Sequence, residues 1–96
     1  MGSRRERPKR LAEKLLQIRN ALGLSQGEML QRIGLGETGY RHYVSHFETG
    51  SREPSLLLLL QYARAANVYV EVLIDDDLDL PAKLPSAKKH EGVRRR

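Results

Sequence analysis

The chain contains no cysteine and no tryptophan, and its aromatic side chains amount to one phenylalanine and four tyrosines. The absence of cysteine excludes a disulfide framework and thiolate chemistry. With so few aromatics, the core must consist mainly of leucine, isoleucine, valine and alanine. A length of 96 residues suffices for one small domain.

Long apolar runs are also absent. The leucine run at residues 56–60 is far too short to span a membrane, so no membrane association through a span is expected. The basic N-terminus leads into an amphipathic stretch, which differs from the apolar core of a signal peptide. These features predict a cytoplasmic protein.

Positive charge is in excess, because 17 lysine and arginine residues against 12 aspartate and glutamate residues give a formal net charge of +5. The basic residues concentrate towards both ends of the chain, whereas residues 75–79 form an acidic cluster between them. An excess of positive charge favours a polyanionic partner, with nucleic acid first and an acidic membrane surface second.

Apolar residues recur at helical spacing near the start of the chain. The first amphipathic face consists of Leu11, Leu15, Ile18 and Leu22. Gly23 is placed to end this helix in a left-handed cap. Ser25 and Glu28 have the spacing of a capping box and predict the start of a second helix, which Gly34 ends.

Two further segments continue the helical pattern. The third predicted helix has an apolar face made of Tyr40, Tyr43, Val44 and Phe47, and Gly50 closes it. Residues 56–66 are apolar nearly all round, which is typical of a buried central helix or of one that meets a partner. Residues 68–74 alternate between valine or isoleucine and other residues, and this pattern alone indicates a short strand. Such a strand would need a partner from another subunit.

These patterns predict three parts of the chain. We expect a flexible basic arm at residues 1–8, a compact all-α domain of four or five helices at residues 9–78, and an extended to disordered basic tail at residues 79–96.

Two short helices joined by a glycine-containing turn can form a helix-turn-helix, whose second helix enters the major groove of DNA. The polar face of the third predicted helix carries Arg41, His42, Ser45 and His46. These side chains can donate to or accept from base edges. Residues 40–47 contain no carboxylate that would repel phosphate.

Two stretches of the sequence carry a family resemblance. Residues 25–34 read SQGEMLQRIG, and residues 44–55 read VSHFETGSREPS ahead of the leucine-rich helix. Together they resemble the Cro/repressor (XRE-type) helix-turn-helix family over about residues 11–73. The resemblance implies a phage-repressor-like bundle in which residues 70–74 form a short fifth helix. Tyr69 stands where the family usually has serine or threonine.

The resemblance also implies roles for individual residues. The base-reading residues would be Arg41, His42, Ser45 and His46, with the serine nearer the DNA backbone. The phosphate contacts would come from Ser25, Gln26, Tyr40, Thr49, Ser51 and Arg52. Gln26 would also brace the recognition helix, and Arg19 would pair with Glu48.

The turn before the recognition helix departs from the family. It is about four residues longer than the usual helix-turn-helix turn, with residues 36–39 as the insertion. The usual N-cap position falls on Tyr40, a poor cap, whereas Thr38 is a better one. The recognition helix is therefore expected to begin a turn early, at Gly39 or Tyr40.

The leading hypothesis is a sequence-specific transcriptional regulator, acting as a repressor, that binds double-stranded DNA as a homodimer on a near-palindromic site. Residues 68–80 and the leucine-rich helix are the expected dimer surface. The alternative is an antitoxin or protein-binding adaptor of a two-gene system that also binds DNA, with the acidic residues 75–79 contacting the protein partner.

An enzyme is disfavoured, because the sequence offers no nucleophile–base pair, phosphate loop or metal cluster, and no cofactor is expected. His42 and His46 have the spacing of a metal-binding pair on a helix. A third ligand at suitable spacing is missing from the sequence, so no metal site is predicted.

Overall fold

A computed structural model describes residues 7–36 and 40–86. Within these residues the fold is all-α, as predicted, and contains no strand. The five helices are α1 (Leu11–Leu22), α2 (Gln26–Arg32), α3 (Tyr43–Thr49), α4 (Leu56–Ala66) and α5 (Val70–Ile74). None of these helices has the length and apolar character that a membrane span requires.

Local sequence signals begin and end the helices close to the predicted residues. Ser25 Oγ accepts the backbone N–H of Glu28 at 3.1 Å, and Glu28 Oε1 accepts the backbone N–H of Ser25 at 2.8 Å. This completes the capping box of α2, and the bond from the backbone N–H of Ser25 lowers the pKa of Glu28 because it favours the charged carboxylate. Gly23, Gly50 and Asn67 end α1, α3 and α4 in the left-handed conformation.

The helices enclose one core of aliphatic side chains and two aromatic rings. Its fully buried hydrophobic members include Leu15, Ile18, Met29, Ile33, Val44, Phe47, Tyr62 and Leu73. Phe47 meets the ring of Tyr62 edge-on with 6.4 Å between centroids, and Tyr43 meets Phe47 at 5.8 Å. The apolar face of α3 is thereby fixed towards α1 and α4.

The recognition helix begins later than predicted. α3 starts at Tyr43, with His42 as its N-cap, and not at Gly39 or Tyr40. The first helical bond runs from the N–H of His46 to the carbonyl of His42. The side chains at positions 40–42 are exposed, so no buried contact anchors an additional turn to the core. Thr38 and Gly39 lie outside the described residues.

Within residues 68–74, residues 70–74 form helix α5, as the family resemblance implied, and the alternation of apolar residues does not produce a strand. Tyr69 is the N-cap of α5 and makes no side-chain capping bond. The other end of α5 is held by Lys14, whose side chain is fully buried. Its Nζ donates to the carbonyls of Val72 and Asp75 at 2.8 and 2.9 Å. A lysine among apolar neighbours gave no sequence signal for this role.

The acidic cluster contacts the start of α1. Asp76 accepts the backbone N–H groups of Lys9 and Arg10 at 2.9 and 3.0 Å. Asp79 accepts from the guanidinium of Arg10 at 2.6 Å. These bonds supply partners for the first N–H groups around α1, whose N-cap residue makes no side-chain capping bond.

Residues 79–86 carry no helix or strand and lie against the domain. Leu80 and Leu84 are partly buried against the core, and Asn67 Nδ2 donates to the carbonyl of Pro85 at 3.0 Å. This part of the predicted tail is therefore packed. Residues 87–96, and residues 1–6 of the predicted arm, lie outside the described residues, and the division of the chain into arm, domain and tail stays a prediction.

Candidate DNA-binding site

Helices α2 and α3 pack against each other and form the helix-turn-helix unit. Val44 and Phe47 point into the core, which places His46 on the exposed side of α3 and leaves Ser45 partly exposed. The other two predicted base-reading residues, Arg41 and His42, are exposed in the turn that leads into α3. The structure therefore presents two of the four on the helix and two ahead of it.

Glu48 joins three helices through its carboxylate. Arg19, on α1, donates from Nε to Glu48 Oε2 at 2.6 Å and from Nη2 to Oε1 at 3.1 Å. Gln26, at the start of α2, donates from Nε2 to Glu48 Oε1 at 3.1 Å. The Glu48 side chain is only 5% exposed and that of Arg19 only 17%. The end of α3 is thus fixed to both α1 and the start of α2.

The contact with Glu48 changes the pKa of Arg19. The hydrogen bond to Glu48 raises the pKa of Arg19, while partial burial opposes the rise. Arg19 Nη1 also donates to the carbonyl of Leu24 at 3.0 Å. With its guanidinium committed to Glu48 and Leu24, Arg19 contributes to the geometry of the unit.

The chain turns back on itself just after α3. Gly50 adopts a φ of 82°, a conformation that glycine adopts without strain, and this brings Ser51 next to the last turn of the helix. Ser51 Oγ lies 3.1 Å from His46 Nδ1 and 3.2 Å from Thr49 Oγ1, and Thr49 Oγ1 donates to the carbonyl of His46 at 3.2 Å. The sequence predicts these residues as separate contacts to base and phosphate. The sequence feature that links them is Gly50, which turns the chain back towards the helix.

Arg52 and Tyr40 flank the ring of Tyr43. The Arg52 guanidinium carbon lies 4.6 Å from the ring centroid of Tyr43, within the range of a cation–π contact. Tyr40, 38% exposed, meets the same ring edge-on at 5.1 Å. The aromatic ring therefore holds both predicted phosphate-contacting residues near α3.

Ser25 and Gln26 are exposed at the start of α2. The Ser25 hydroxyl oxygen accepts in the capping box, so its proton remains able to donate to another acceptor. Gln26 has one amide N–H on Glu48 and keeps a second. Both side chains retain donor capacity beside the N-terminus of a helix, where anions are favoured.

A helix-turn-helix family model matches residues 15–73, which run from α1 into α5 and make up more than half of the chain. No curated protein matches the chain. The family match includes both stretches on which the resemblance depends, residues 25–34 and residues 44–55. The chain therefore belongs to the Cro/repressor (XRE-type) helix-turn-helix family of DNA-binding transcriptional regulators.

Proposed function

We propose that the protein is a sequence-specific repressor that acts in the cytoplasm and binds double-stranded DNA as a homodimer, with α3 in the major groove. The observation that carries the proposal is the placement of α3. Its inner residues Val44 and Phe47 are buried, its outer residue His46 is exposed, and Glu48 fixes its end to two other helices. A major groove about 12 Å wide admits one such helix.

Base recognition is assigned to four side chains. His46 and Ser45 act from α3, whereas Arg41 and His42 act from the turn before it. Arg41 suits guanine, because a guanidinium donates to O6 and N7 together. The two turn residues approach the DNA from a backbone that is not helical, so their reach differs from that in a family member with a longer recognition helix.

Phosphate contacts are assigned to both ends of the unit. The proposed residues are Ser25, Gln26, Tyr40, Thr49, Ser51 and Arg52. Contacts of this kind, from side chains or from backbone N–H groups, fix the register of the protein on the duplex and carry no sequence information themselves. The fixed link from Glu48 to Gln26 supports a joint approach of both ends to one DNA backbone.

Dimerisation is supported by apolar side chains outside the core. Leu56 and Leu57, in the first turn of α4, are 82% and 72% exposed, and Tyr69 and Ile74, beside and within α5, are 81% and 42% exposed. Exposed apolar patches of this kind mark interaction surfaces. We propose that a second copy covers this surface and sets two half-sites about 34 Å apart.

The acidic cluster does not favour the adaptor alternative. Asp76 and Asp79 bond to the start of α1 within the same chain, so two of the four carboxylates that motivated a protein partner have partners already. The family is one of DNA-binding regulators, and we propose no catalytic role and no cofactor.

Selection of binding sites from a random duplex pool with the full chain tests this function. We expect a near-palindromic sequence, and His46→Ala or Arg41→Ala should each cost about 1–3 kcal/mol on that site and blunt the preference at one base pair. Arg64→Ala, an exposed arginine on α4, is the matched control and should bind normally. A pool without any enriched sequence at moderate salt would contradict the proposal.

A further inference from the structure

We propose that Ser51 and Thr49 fix the tautomer of His46 and thereby make it a reader of base amines, those of adenine or cytosine. This inference rests on the proposed function, because it assumes that His46 faces a base edge. It starts from the cluster His46–Thr49–Ser51, which consists of three exposed residues at the end of α3.

The three side chains form a hydrogen-bonded chain that ends on a carbonyl. His46 Nδ1 lies 3.1 Å from Ser51 Oγ, and Ser51 Oγ lies 3.2 Å from Thr49 Oγ1. Thr49 Oγ1 donates to the carbonyl oxygen of His46 at 3.2 Å. The same carbonyl also accepts from Ser51 Oγ at 3.4 Å, the longest of the four contacts.

The number of available protons determines the donor and the acceptor in each of these hydrogen bonds. A hydroxyl carries one proton, and a carbonyl oxygen can only accept. The proton of Thr49 is used on the carbonyl, and the proton of Ser51 is used on the Thr49 hydroxyl or on the same carbonyl. Ser51 then has only lone pairs to offer to the imidazole, and the Nδ1 of His46 must carry the proton.

The reverse direction leaves a contact unsatisfied. If Ser51 donated to Nδ1, Thr49 would have to donate to both Ser51 and the carbonyl with a single proton. One of the two contacts would then bring oxygen lone pairs together at 3.2 Å. The assigned direction satisfies these three contacts at once, and it leaves the proton of Ser51 able to be shared with the carbonyl of His46 at 3.4 Å.

The assigned tautomer determines what the ring can read. A neutral imidazole with its proton on Nδ1 has a lone pair on Nε2 and therefore accepts a hydrogen bond there. In the major groove the donors are the N6 amine of adenine and the N4 amine of cytosine, whereas N7 and O6 of guanine and O4 of thymine are acceptors. His46 therefore favours a base with an amine and disfavours the guanine edge.

Nitrogen NMR of the uniformly labelled full chain without DNA, at pH 8, tests the tautomer directly. We expect the His46 ring to be protonated at Nδ1, and His42 provides an internal reference. Ser51→Ala should raise the fraction protonated at Nε2, and Ser51→Thr, which keeps the hydroxyl, should restore the original state. Ser45→Ala is the matched control on the same helix and should leave the tautomer of the His46 ring unchanged.

Two results of that measurement would overturn the assignment. One is a His46 ring protonated at Nε2 in the unaltered protein. The other is a Ser51→Ala variant with an unaltered ring, which would show that the hydroxyl does not set the tautomer. Thr49→Val should raise the Nε2-protonated fraction less than Ser51→Ala does, because Ser51 then has its proton available for the ring as well as for the carbonyl of His46; no rise would contradict the role of Thr49.

Base analogues in the selected site test the consequence for recognition. The relevant base pair is the one whose preference His46→Ala removes. If it contains adenine, 2-aminopurine, which lacks the N6 amine, should weaken binding on the order of threefold to tenfold, the range of one hydrogen bond. Substitution of 7-deazaadenine, which lacks only the N7 acceptor, should leave binding unchanged. For cytosine, 2-pyrimidinone removes the N4 amine in the same way.

The outcomes separate this inference from the proposed function. A selected site in which loss of the N7 acceptor weakens binding while loss of the amine does not would overturn the base assignment alone. A random pool from which no sequence is enriched would overturn the proposed function, and with it the base assignment, whatever tautomer the free protein shows.

Discussion

Arg10 and Asp76 bond to each other in both directions. The backbone N–H of Arg10 donates to Asp76 Oδ1 at 3.0 Å, and the Arg10 guanidinium donates from Nη1 to the backbone carbonyl of Asp76 at 3.0 Å. Two residues that are 66 positions apart thereby join the start of α1 to the segment after α5. The acidic cluster, which the sequence predicts as a contact surface for a protein partner, instead bonds through Asp76 and Asp79 to the start of α1 in the same chain.

The first prediction concerns the carboxylate of Asp76. Its bonds to the N–H groups of Lys9 and Arg10 lower its pKa, because they favour the charged form. Replacing it by alanine removes both acceptors from the start of α1, so Asp76→Ala should lower the melting temperature. Thermal unfolding followed by circular dichroism measures this, with Asp77→Ala, an exposed neighbour, as the matched control.

The same carboxylate should make stability depend on pH in a defined direction. Because its pKa is lower in the folded state than in the unfolded chain, its contribution is complete above the unfolded value of about 3.9 and is lost as the pH falls through the folded value. Below that range Asp76→Ala and the parent should differ less in melting temperature than at neutral pH. An equal difference at all pH values would contradict the ionic role.

The second prediction concerns the buried Lys14. Substitution by methionine keeps an unbranched side chain, one atom shorter, but leaves the carbonyls of Val72 and Asp75 without their donor. We expect Lys14→Met to cost about 1–3 kcal/mol in the free energy of unfolding, the usual penalty for buried groups left unpaired. Urea denaturation gives the loss, and Lys83→Met, at an exposed position, is the control.

Local hydrogen exchange shows where that loss arises. If Lys14 holds the end of α5, the amides of Val70–Ile74 should exchange faster in Lys14→Met while those of α4 keep most of their protection. A uniform increase over all helices would show that Lys14 supports the whole core and not α5 in particular.

The third prediction concerns the Arg19–Glu48 pair. Arg19→Met leaves an almost fully buried carboxylate with Gln26 as a partner. Removing one member of a buried ion pair typically costs about 3–5 kcal/mol, and the partial exposure of Arg19 puts the expected loss nearer about 2–3 kcal/mol. The measurement is the free energy of unfolding in urea.

A double-mutant cycle with Glu48→Gln checks that interpretation. The double variant should lose less than the sum of the two single variants, because neither charge is then left alone. Additive losses would show that the two residues act independently in spite of their 2.6 Å contact.

The sequence predicts most of the fold, because its signals are local and physical. The capping box at Ser25 begins α2, the left-handed glycines at positions 23 and 50 end α1 and α3, and leucine spacing defines the inner faces. The periodicity of apolar residues does not by itself predict α5. Alternation of valines alone indicated a strand, and contacts with α1, among them the Lys14 bond to α5, outweigh that preference.

The candidate site is harder to predict where distant residues interact. The start of α3 depends on whether the side chains at positions 40–42 find buried contacts, and helix capping preferences do not contain that information. The relation between His46 and Ser51 depends on the turn at Gly50, and the bonds of Asp76 depend on the closure of the whole domain. These are tertiary contacts without a sequence period.

The fourth prediction concerns the surface proposed for dimerisation. Leu57 is 72% exposed in the first turn of α4, so Leu57→Glu should leave the monomer folded, and a carboxylate there suits the helix N-terminus. If a second copy covers this residue, the variant should sediment as a monomer under conditions in which the parent is a dimer. Ala21→Glu, at an exposed position on α1, is the control for an added charge. A dimer that persists in Leu57→Glu would exclude this surface.

The fifth prediction separates Arg52 from the base-reading residues. Arg52 follows α3 in the chain, is held against the ring of Tyr43, the first residue of that helix, and is assigned to phosphate. Arg52→Ala should therefore weaken binding to all sequences about equally and reduce the slope of log K against log salt by about one. Fluorescence anisotropy titrations at several salt concentrations give that slope, with Arg64→Ala as the matched control. A loss of preference at one base pair with an unchanged slope would instead identify Arg52 as a base reader and shift the docking of α3 towards its C-terminal end.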